Sequence, residues 1–367
     1  MLPPASATML LTVDLAAIVA NWRRLRDLAG GAECAAVVKA DAYGLGAARV
    51  APALAAAGCR RFFVATIDEG VALRRDLPDG EVMVLCGPLA GTEAEFAGHR
   101  LTPVLNTLEQ VARWRAHAAG HGTALAAALH VDTGMSRLGL EAADLARLAD
   151  DSGLLAGISP LLAMAHRAGA DDDSPLNQAQ RDVFVHLTAG LPATARSLAA
   201  SSGIFLGADY HFDLVRPGAA LYGVNPTPGQ ANPMAPAVRL EARILQVRDV
   251  DTPMTVGYGA THRVAGPGRI ATAAVGYADG WFRSLGNRGH AMIGGTLVPA
   301  VGRISMDLTT FDLGGLPPDA AIPGAMIELM GPGHDVDAVA AEAGTIGYEV
   351  LTALGRRAAR RYVGDAA

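Results

Sequence analysis

The stretch Cys34–Gly46, CAAVVKADAYGLG, places a lysine at the end of a short apolar run. Cys34–Lys39 has the length and the β-branched valines of a buried strand, and Ala47–Ala57 follows with the apolar spacing of a helix. A buried strand that leads into a helix is the repeating unit of parallel α/β folds. Lys39 therefore stands at the carboxyl end of a predicted parallel strand.

The same alternation of strands and helices continues to about Tyr222. The further predicted strands are Phe62–Thr66, Val82–Cys86, Leu101–Leu105, Leu125–Val131, Leu161–Ala165, Arg196–Ala199 and a last one near Ala219–Tyr222. Helical spacing lies between several of them, at Leu108–Ala119, Ala142–Ala149 and Gln178–Ala189. Eight such strands predict an α/β fold of the TIM type, an N-terminal (β/α)8 barrel, with an open doubly wound sheet as the alternative.

A proline-rich segment marks the end of this pattern. Asn225–Pro236, NPTPGQANPMAP, has four prolines in twelve residues and is predicted to be a linker. Beyond it we predict the strands Val238–Val250, Arg269–Tyr277, His290–Val301 and Met326–Met330, and a final helix Tyr348–Tyr362. The predicted domains are a barrel over residues 10–228 and a mainly β C-terminal domain over residues 229–367, with which residues 1–9 are expected to pair.

Composition argues against several classes of function. The net charge of −6 comes with no basic patch, so nucleic acid is not the expected partner. No apolar run is long enough for a membrane span, and the first residues lack the pattern of a secretory signal. Cys34, Cys59 and Cys86 are too few and too scattered for a disulfide framework or a zinc site. We expect a cytoplasmic protein without a bound metal.

Lys39 is the only lysine among the 30 basic residues of the chain. Arginine can replace a surface lysine at little cost, because both side chains keep a solvated positive charge. Arginine cannot give up its proton near neutral pH, whereas a lysine amine can be tuned to a lower pKa and can attack an aldehyde. The single lysine therefore indicates covalent or acid–base chemistry, although chance survival of an ordinary lysine is the simpler alternative.

Polar residues interrupt the apolar strands at their carboxyl ends. In a (β/α)8 barrel these ends form one rim, at which catalytic groups from different strands meet. The residues at these positions are Lys39, Arg137, His166, Ser202 and Arg216. Together they predict a cationic, hydrogen-bonding pocket for a phosphate and for carboxylates.

Seven motifs along the chain resemble those of alanine racemases. They are VVKADAYGLG (Val37–Gly46), HVDTGMSRLG (His130–Gly139), VRPGAALYG (Val215–Gly223), VGYGATH (Val256–His262), VGYADGW (Val275–Trp281), VGRISMD (Val301–Asp307) and IGYEV (Ile346–Val350). They stand in the order of that family and span most of the chain. The resemblance implies a barrel followed by a β domain, a homodimer, an amino-acid substrate and the cofactor pyridoxal 5'-phosphate.

The resemblance also implies a role for each matched residue. Lys39 links covalently to the cofactor and is one catalytic base, and Tyr258, entering from the partner subunit, is the second. The implied phosphate contacts are Tyr43, Ser202, Gly218, Ala219 and Tyr348. Arg137 orients cofactor and substrate, Arg216 bonds the pyridine nitrogen, His166 lies behind Tyr258, Met306 offers its N–H to the substrate carboxylate, and Tyr277 lines the entrance.

The chain departs from the family pattern around these residues. His130 stands where many relatives have a lysine that steadies the substrate-binding arginine. Ser201 replaces an asparagine, Leu198 replaces a histidine expected to support Arg216, and Ser305 replaces a cysteine of some relatives. These changes affect supporting residues and leave both predicted bases in place.

Alternatives remain open from the residues alone. Tyr258 and Tyr348 could simply pack in the structure, and Asp171–Asp173 is read as a solvated loop rather than a metal site. The leading functional prediction is interconversion of L- and D-alanine for peptidoglycan. The alternatives are a racemase of serine or of a broader set of amino acids, and a non-catalytic cofactor-binding barrel, against which the second domain with Tyr258 and Met306 argues.

Overall fold

The structure is a computed structural model that describes residues 6–172, 174–192 and 194–364. Residues 1–5 of the predicted N-terminal addition and Asp173 of the acidic triplet lie outside the described residues.

After β1 (Met9–Asp14), the first half of the chain alternates strands with helices. Its strands are β2 (Glu33–Cys34), β3 (Ala36–Val37), β4 (Arg61–Val64), β5 (Glu81–Val84), β6 (Leu101–Leu105), β7 (Leu125–His130), β8 (Ile158–Met164), β9 (Ala195–Ser197) and β10 (Leu214–Val215). Its helices are α1 (Leu15–Leu28), α2 (Lys39–Tyr43), α3 (Ala47–Ala56), α4 (Ile67–Asp76), α5 (Glu93–Gly98), α6 (Leu108–Ala118), α7 (Ala142–Asp150), α8 (Pro175–Thr188) and α9 (Ser201–Ile204).

These strands close into a parallel barrel. β3 to β9 pair side by side in chain order, and β10 pairs in parallel with β2. Between β9 and β10 the ring is joined by backbone hydrogen bonds, from Asp213 N–H to Arg196 O at 3.0 Å and from Arg216 N–H to Ala199 O at 2.9 Å. The predicted fold class is confirmed, and the carboxyl ends of the strands meet at one rim.

Local sequence explains where several of the surrounding helices begin. The Asp14 carboxylate accepts a hydrogen bond from Ala17 N–H at the start of α1, and Thr66 and Glu69 form a capping box at the start of α4. Such caps satisfy backbone donors that the helix leaves free. Between helices and barrel the core is fully buried, as at Phe62 and Phe63 of β4.

The last barrel strand lies earlier in the chain than predicted. The strand expected near Ala219–Tyr222 is wrong, because β10 covers Leu214–Val215 and Ala219–Tyr222 forms a short 3-10 turn. The apolar run is buried as expected, but its burial comes from packing at the rim. Its Tyr222 hydroxyl donates to Val37 O at 2.9 Å.

The second half of the chain builds a mainly β domain. Its strands are β11 (Val238–Val250), β12 (Met254–Val256), β13 (His262–Val264), β14 (Gly268–Ala273), β15 (His290–Ile293), β16 (Thr296–Pro299), β17 (Thr309–Asp312), β18 (Met326–Met330) and β19 (Ala359–Val363). Its helices are α10 (Val336–Ala343) and α11 (Gly347–Ala353). The long strand β11 pairs with β1, β14 and β18.

The N-terminal strand belongs to this second sheet. β1 pairs antiparallel with β11 and parallel with β19. Residues 10–14, which the sequence assigned to the barrel domain, therefore lie in the sheet of the β domain. β19, the last described strand, lies in the same sheet.

Three predicted elements of the second domain differ from the structure. The final helix Tyr348–Tyr362 is wrong, because α11 ends at Ala353 and β19 follows. His290–Val301 contains the hairpin β15–β16 rather than one strand, and the strand predicted over Arg269–Tyr277 ends at Ala273.

Candidate active site

The backbone makes a left-handed turn directly after Lys39. Ala40, Asp41, Ala42 and Tyr43 have φ between 53° and 56°, a conformation that costs L residues about 1–2 kcal/mol each. Hydrogen bonds hold the turn, from Ala40 N–H to Glu69 Oε1 at 2.8 Å and from Ala47 N–H to Asp41 Oδ1 at 2.7 Å. The turn carries Tyr43 from the end of the first barrel strand into a cavity at the rim.

This cavity has a volume of about 300 Å³ and lies at the carboxyl ends of several barrel strands. Of the predicted site residues, its walls include Tyr43, His166, Ser202, Arg216, Gly218, Ala219 and Tyr348. Helix α11 of the second domain supplies Tyr348, so both domains of one chain shape the cavity. The structure thus brings seven of the residues predicted for the cofactor together in one wall. Lys39 and Arg137 are not part of this wall, but the charges of both act on His166.

Positive charge dominates the electrostatics around Lys39. Burial and the charge of Arg137 lower the pKa of the Lys39 ammonium. Burial, followed by the charges of Arg216, Arg137 and Lys39, lowers the pKa of His166 to about 3. His166 is therefore neutral near pH 7, and the Lys39 amine is easier to deprotonate than an ordinary lysine.

Arg216 is buried and held in place by neighbouring strands. Its guanidinium donates to the Ser197 hydroxyl and, at 2.6 Å, to Ala165 O. Burial lowers the pKa of Arg216 to about 9, with a further contribution from the charge of Arg167. These contacts hold the Arg216 guanidinium in a chain that has Leu198 where the resemblance implies a supporting histidine.

Two serines start the short helix α9 and face different partners. The Ser201 hydroxyl accepts hydrogen bonds from Gly218 N–H at 3.0 Å and from Ala220 N–H at 3.2 Å. The Ser202 hydroxyl donates to Asp171 Oδ1 at 2.5 Å. The Gly218 amide predicted for the phosphate thus has a partner in Ser201, which stands at the family's asparagine position.

Tyrosine side chains line the same part of the cavity. Burial raises the pKa of Tyr43 above its usual range and that of Tyr348 to about 12, so both stay protonated donors. A Cβ at Gly218 would collide with the Tyr43 hydroxyl. Glycine at this position therefore leaves a space in which a hydroxyl and a backbone can approach one ligand.

Arg137 lies on a loop that is ordered by its own backbone contacts. Asp132 Oδ1 accepts N–H donors from Gly134 and Met135, both at 2.9 Å, and the Arg137 side chain is exposed. Nearby, His130 Nδ1 lies 2.8 Å from Asn106 Oδ1. Burial and the charge of Arg216 lower the pKa of His130 to about 4, so a neutral ring occupies the position of the family's lysine.

Tyr258, Tyr277 and Met306 lie elsewhere, on the second domain. Tyr277 N–H donates to Ser305 O at 3.1 Å, which joins its turn to the loop of Met306. A Cβ built at Gly257 would lie 3.4 Å from Arg303 N, so the turn of Tyr258 packs on the same loop. The three side chains are 70%, 44% and 54% exposed. Within one chain they do not line the cavity beside Lys39.

Two residues of the cavity wall were not predicted from the sequence to belong to the site. Arg167 follows His166, is only 5% exposed and belongs to the cavity wall. Asp171, read as part of a solvated loop, accepts the hydrogen bond from Ser202. A polar residue directly after the strand-ending His166 was the available signal, since the neighbouring rim residues were found by the same rule.

The described ranges 6–172, 174–192 and 194–364 lack two features. They contain no group of three or more His, Cys, Asp or Glu side chains placed to hold a metal ion. Within the same ranges, no helix combines the length and the apolar character needed to cross a membrane.

Comparison with known proteins agrees with this geometry. The family model for the alanine racemase N-terminal domain matches residues 13–226, and the model for the C-terminal domain matches residues 237–362. The chain is 55% identical to an alanine racemase of Rhodospirillum rubrum, over 98% of this chain and 96% of that protein. It is 54% identical to an alanine racemase of Acidiphilium cryptum, over 95% of this chain and 96% of that protein.

A solved structure supports the same relationship. The alanine racemase of Bartonella henselae, with covalently bound pyridoxal phosphate, superposes with a TM-score of 0.94 at 40% identity. The alignment covers 97% of this chain and 100% of the Bartonella chain.

Fold and site define a barrel enzyme that places a reactive lysine beside a cationic cavity for an anionic cofactor. The chain belongs to the alanine racemase family. The predicted enzyme class, an amino-acid racemase, is thereby confirmed, and the family depends on pyridoxal phosphate. The residues present fit that cofactor, because hydroxyl donors and two buried arginines line one cavity and the Lys39 amine is close enough to affect the pKa of His166 in its wall.

Proposed function

We propose that this enzyme interconverts L- and D-alanine with pyridoxal phosphate bound at Lys39 and with Lys39 and Tyr258 as its two bases. The observation that carries the proposal is the single lysine, with a lowered pKa, at the mouth of a barrel whose cavity is cationic. A lowered pKa lets an amine both accept and return a proton near neutral pH.

Racemisation removes the Cα proton of the substrate and returns one to the opposite face. When bound, the cofactor withdraws electrons from Cα and so makes that proton acidic enough to remove. The Lys39 Nζ would exchange the proton on one face, and the Tyr258 hydroxyl would exchange it on the other. Two bases on opposite faces would let the configuration at Cα invert without rotation of the substrate.

The remaining residues would bind and orient. Tyr43 and Tyr348 would donate hydrogen bonds to the phosphate from the positions they occupy in the cavity. Ser202 would donate to it by turning its one hydroxyl proton from Asp171 to the phosphate. Arg137 would orient the substrate carboxylate, which Met306 N–H would also bind. His166, which stays neutral, would lie behind Tyr258.

Arg216 would hydrogen-bond the pyridine nitrogen of the cofactor. Arginine keeps its proton, so the nitrogen stays unprotonated and the ring withdraws less charge than a pyridinium paired with a carboxylate. The Ser197 and Ala165 contacts fix the guanidinium for this role. We infer that this arrangement limits protonation at other cofactor atoms, and with it transamination.

Tyr258, Tyr277 and Met306 would reach the cavity from a second copy of the chain. Their side chains are exposed and their turns adjoin one loop, which supports this arrangement because apolar side chains exposed together commonly mark an interface. We therefore propose a homodimer whose active sites combine the barrel of one subunit with the β domain of the other. We also propose a cytoplasmic role in the supply of D-alanine for peptidoglycan.

The experiment compares wild type, Lys39→Ala and Tyr258→Phe. Circular dichroism follows racemisation from each enantiomer, and solvent deuterium incorporation reports proton exchange at Cα. We expect Lys39→Ala to lose covalent cofactor and activity. We expect Tyr258→Phe to keep the cofactor but to become strongly asymmetric or inactive. Unchanged, symmetric exchange in Tyr258→Phe would remove Tyr258 from the mechanism.

A further inference from the structure

Arg167 is a buried cation whose polar atoms have no partner among the described residues. It follows His166, in the loop after β8, and is 5% exposed. Its Nε, Nη1 and Nη2 atoms make no hydrogen bond within the part of the chain that the structure describes. Buried guanidinium groups are normally paired, because removing the charge from water is costly. Arg167 therefore lacks a partner that a bound anion could supply.

The guanidinium of Arg167 lies next to the predicted phosphate contacts. Its Cζ sits 4.7 Å from the centre of the Tyr210 ring. On the other side, a Cβ placed on Gly203 would collide with Nη2. Gly203 directly follows Ser202, and both Ser202 and Arg167 line the cavity. The missing side chain at position 203 thus lets the cation approach the serine.

The negative charge in this part of the cavity favours a cation beside a bound phosphate. Asp171 accepts the Ser202 hydroxyl at 2.5 Å and lines the same space. A phosphate bound at Ser202 would therefore meet a carboxylate of like charge. None of the predicted phosphate contacts carries a positive charge. They are Tyr43, Ser202, Gly218, Ala219 and Tyr348.

Of the two arginines in the cavity wall, Arg167 is the one that makes no hydrogen bond among the described residues. Arg216 already donates to Ser197 and Ala165. Burial lowers the pKa of Arg167 to about 10, which leaves the side chain protonated at neutral pH.

We propose that Arg167 binds the phosphate of the cofactor through its guanidinium and offsets the repulsion from Asp171. The proposal rests on the proposed cofactor and adds a charged contact to the hydroxyl and amide donors. Arginine suits this task because its donors form a planar fork that matches phosphate oxygens. A purely structural role, stacking on Tyr210, is the alternative that the experiment must separate.

The experiment compares pyridoxal phosphate with pyridoxal, which lacks the phosphate. Cofactor-free protein is titrated with each, and binding is followed by absorbance. We expect Arg167→Gln to weaken binding of pyridoxal phosphate roughly tenfold to hundredfold, as for loss of a charge-assisted hydrogen bond. Binding of pyridoxal should stay within about twofold of wild type, and Arg167→Lys should recover part of the loss.

Two controls separate the phosphate role from a structural one. Tyr210→Leu removes the stacking partner and should leave the ratio of the two affinities near the wild-type value. Phosphorus NMR of the loaded protein gives a readout independent of activity, because loss of the cation should raise the pH at which the bound phosphate becomes a dianion. Equal losses for both ligands in Arg167→Gln, or no loss for either, would overturn the proposal. Neither result would affect racemisation by the wild type, on which the proposed function depends.

Discussion

At the scale of single residues, the turn after Lys39 puts strain beside the reactive amine. Non-glycine residues in a left-handed conformation are unusual, and here Ala40–Tyr43 form a continuous run of them. The Glu69 carboxylate binds the turn on one side, because its oxygens accept Ala40 N–H at 2.8 Å and Ala65 N–H at 2.7 Å. Such strain persists where surrounding contacts over-determine the backbone, and it is common at functional sites.

Replacing an alanine of this turn by glycine should stabilise the protein. Ala40 is exposed at φ 53°, so Ala40→Gly removes a steric cost of about 1 kcal/mol without removing a buried side chain. The matched control is Ala48→Gly, at an exposed position of the right-handed helix α3, which should destabilise by about 1 kcal/mol. Urea unfolding of both variants measures the difference. A lower free energy of unfolding in Ala40→Gly would contradict a steric cost of the left-handed backbone at this alanine.

The sequence predicted most of the residues at the barrel rim, for a physical reason. A polar side chain at the end of an apolar strand must find water or a ligand, so Lys39, His166 and Arg216, each weak evidence alone, stood out as a group at one rim. Arg167 did not, because an arginine that follows a strand is usually solvated. Its burial depends on Gly203 and Tyr210, which are distant in sequence and become neighbours only in the folded chain.

At the scale of elements, helix α11 shows why the end of the chain was harder to predict. Residues 348–362 have an apolar pattern compatible with one helix, but Leu354 and Gly355 interrupt it and α11 ends at Ala353. Ala359–Val363 then becomes a strand because β1 offers an open parallel edge, with Leu10 opposite Ala359. Pairing with β1, which is distant in sequence, determines that Ala359–Val363 is a strand. The spacing of apolar residues along the chain carries no information about such pairing.

The same helix joins the two domains at the cofactor cavity. Gly44, at φ +82°, ends the left-handed turn, and a Cβ built there would lie 2.7 Å from Leu351 O of α11. Arg360 reinforces the contact by donating to Gly44 O at 2.9 Å. Close approach of these backbones therefore sets the position of Tyr348 relative to Tyr43, whose ring centres are 6.2 Å apart.

Gly44→Ala should consequently reduce both stability and cofactor binding. The new methyl group would strain the backbone and push α11 outward, with an expected loss of about 2–3 kcal/mol in the free energy of unfolding. Gly30→Ala is the control, because Gly30 has φ +63° and nothing within 4 Å of a built Cβ. It should cost about 1 kcal/mol and leave cofactor affinity unchanged. Equal effects of the two variants on cofactor affinity would contradict a role of this contact in placing Tyr348.

At the scale of the whole molecule, the proposed mechanism divides the active site between two parts of the chain that do not meet within one chain. The barrel contributes Lys39 and the cavity, and the β domain presents Tyr258 and Met306 on an exposed surface. In a two-fold symmetric dimer, each β domain would meet the barrel of the other subunit, and two equivalent sites would form. The sequence predicts candidate residues in both parts. It does not predict which chain would complete which site, because that depends on how two chains assemble.

Mixed dimers test this assembly without a structure of the complex. Lys39→Ala and Tyr258→Phe chains, co-expressed with different tags, should each be inactive alone, whereas the mixed dimer would regain one intact site of the two. Random pairing in equal amounts should therefore restore about one quarter of wild-type activity, because half of the dimers are mixed and each has one complete site. Lys39→Ala paired with a chain that carries both substitutions is the control and should stay inactive. An inactive mixed dimer, purified through both tags and loaded with cofactor, would show instead that each chain completes its own site.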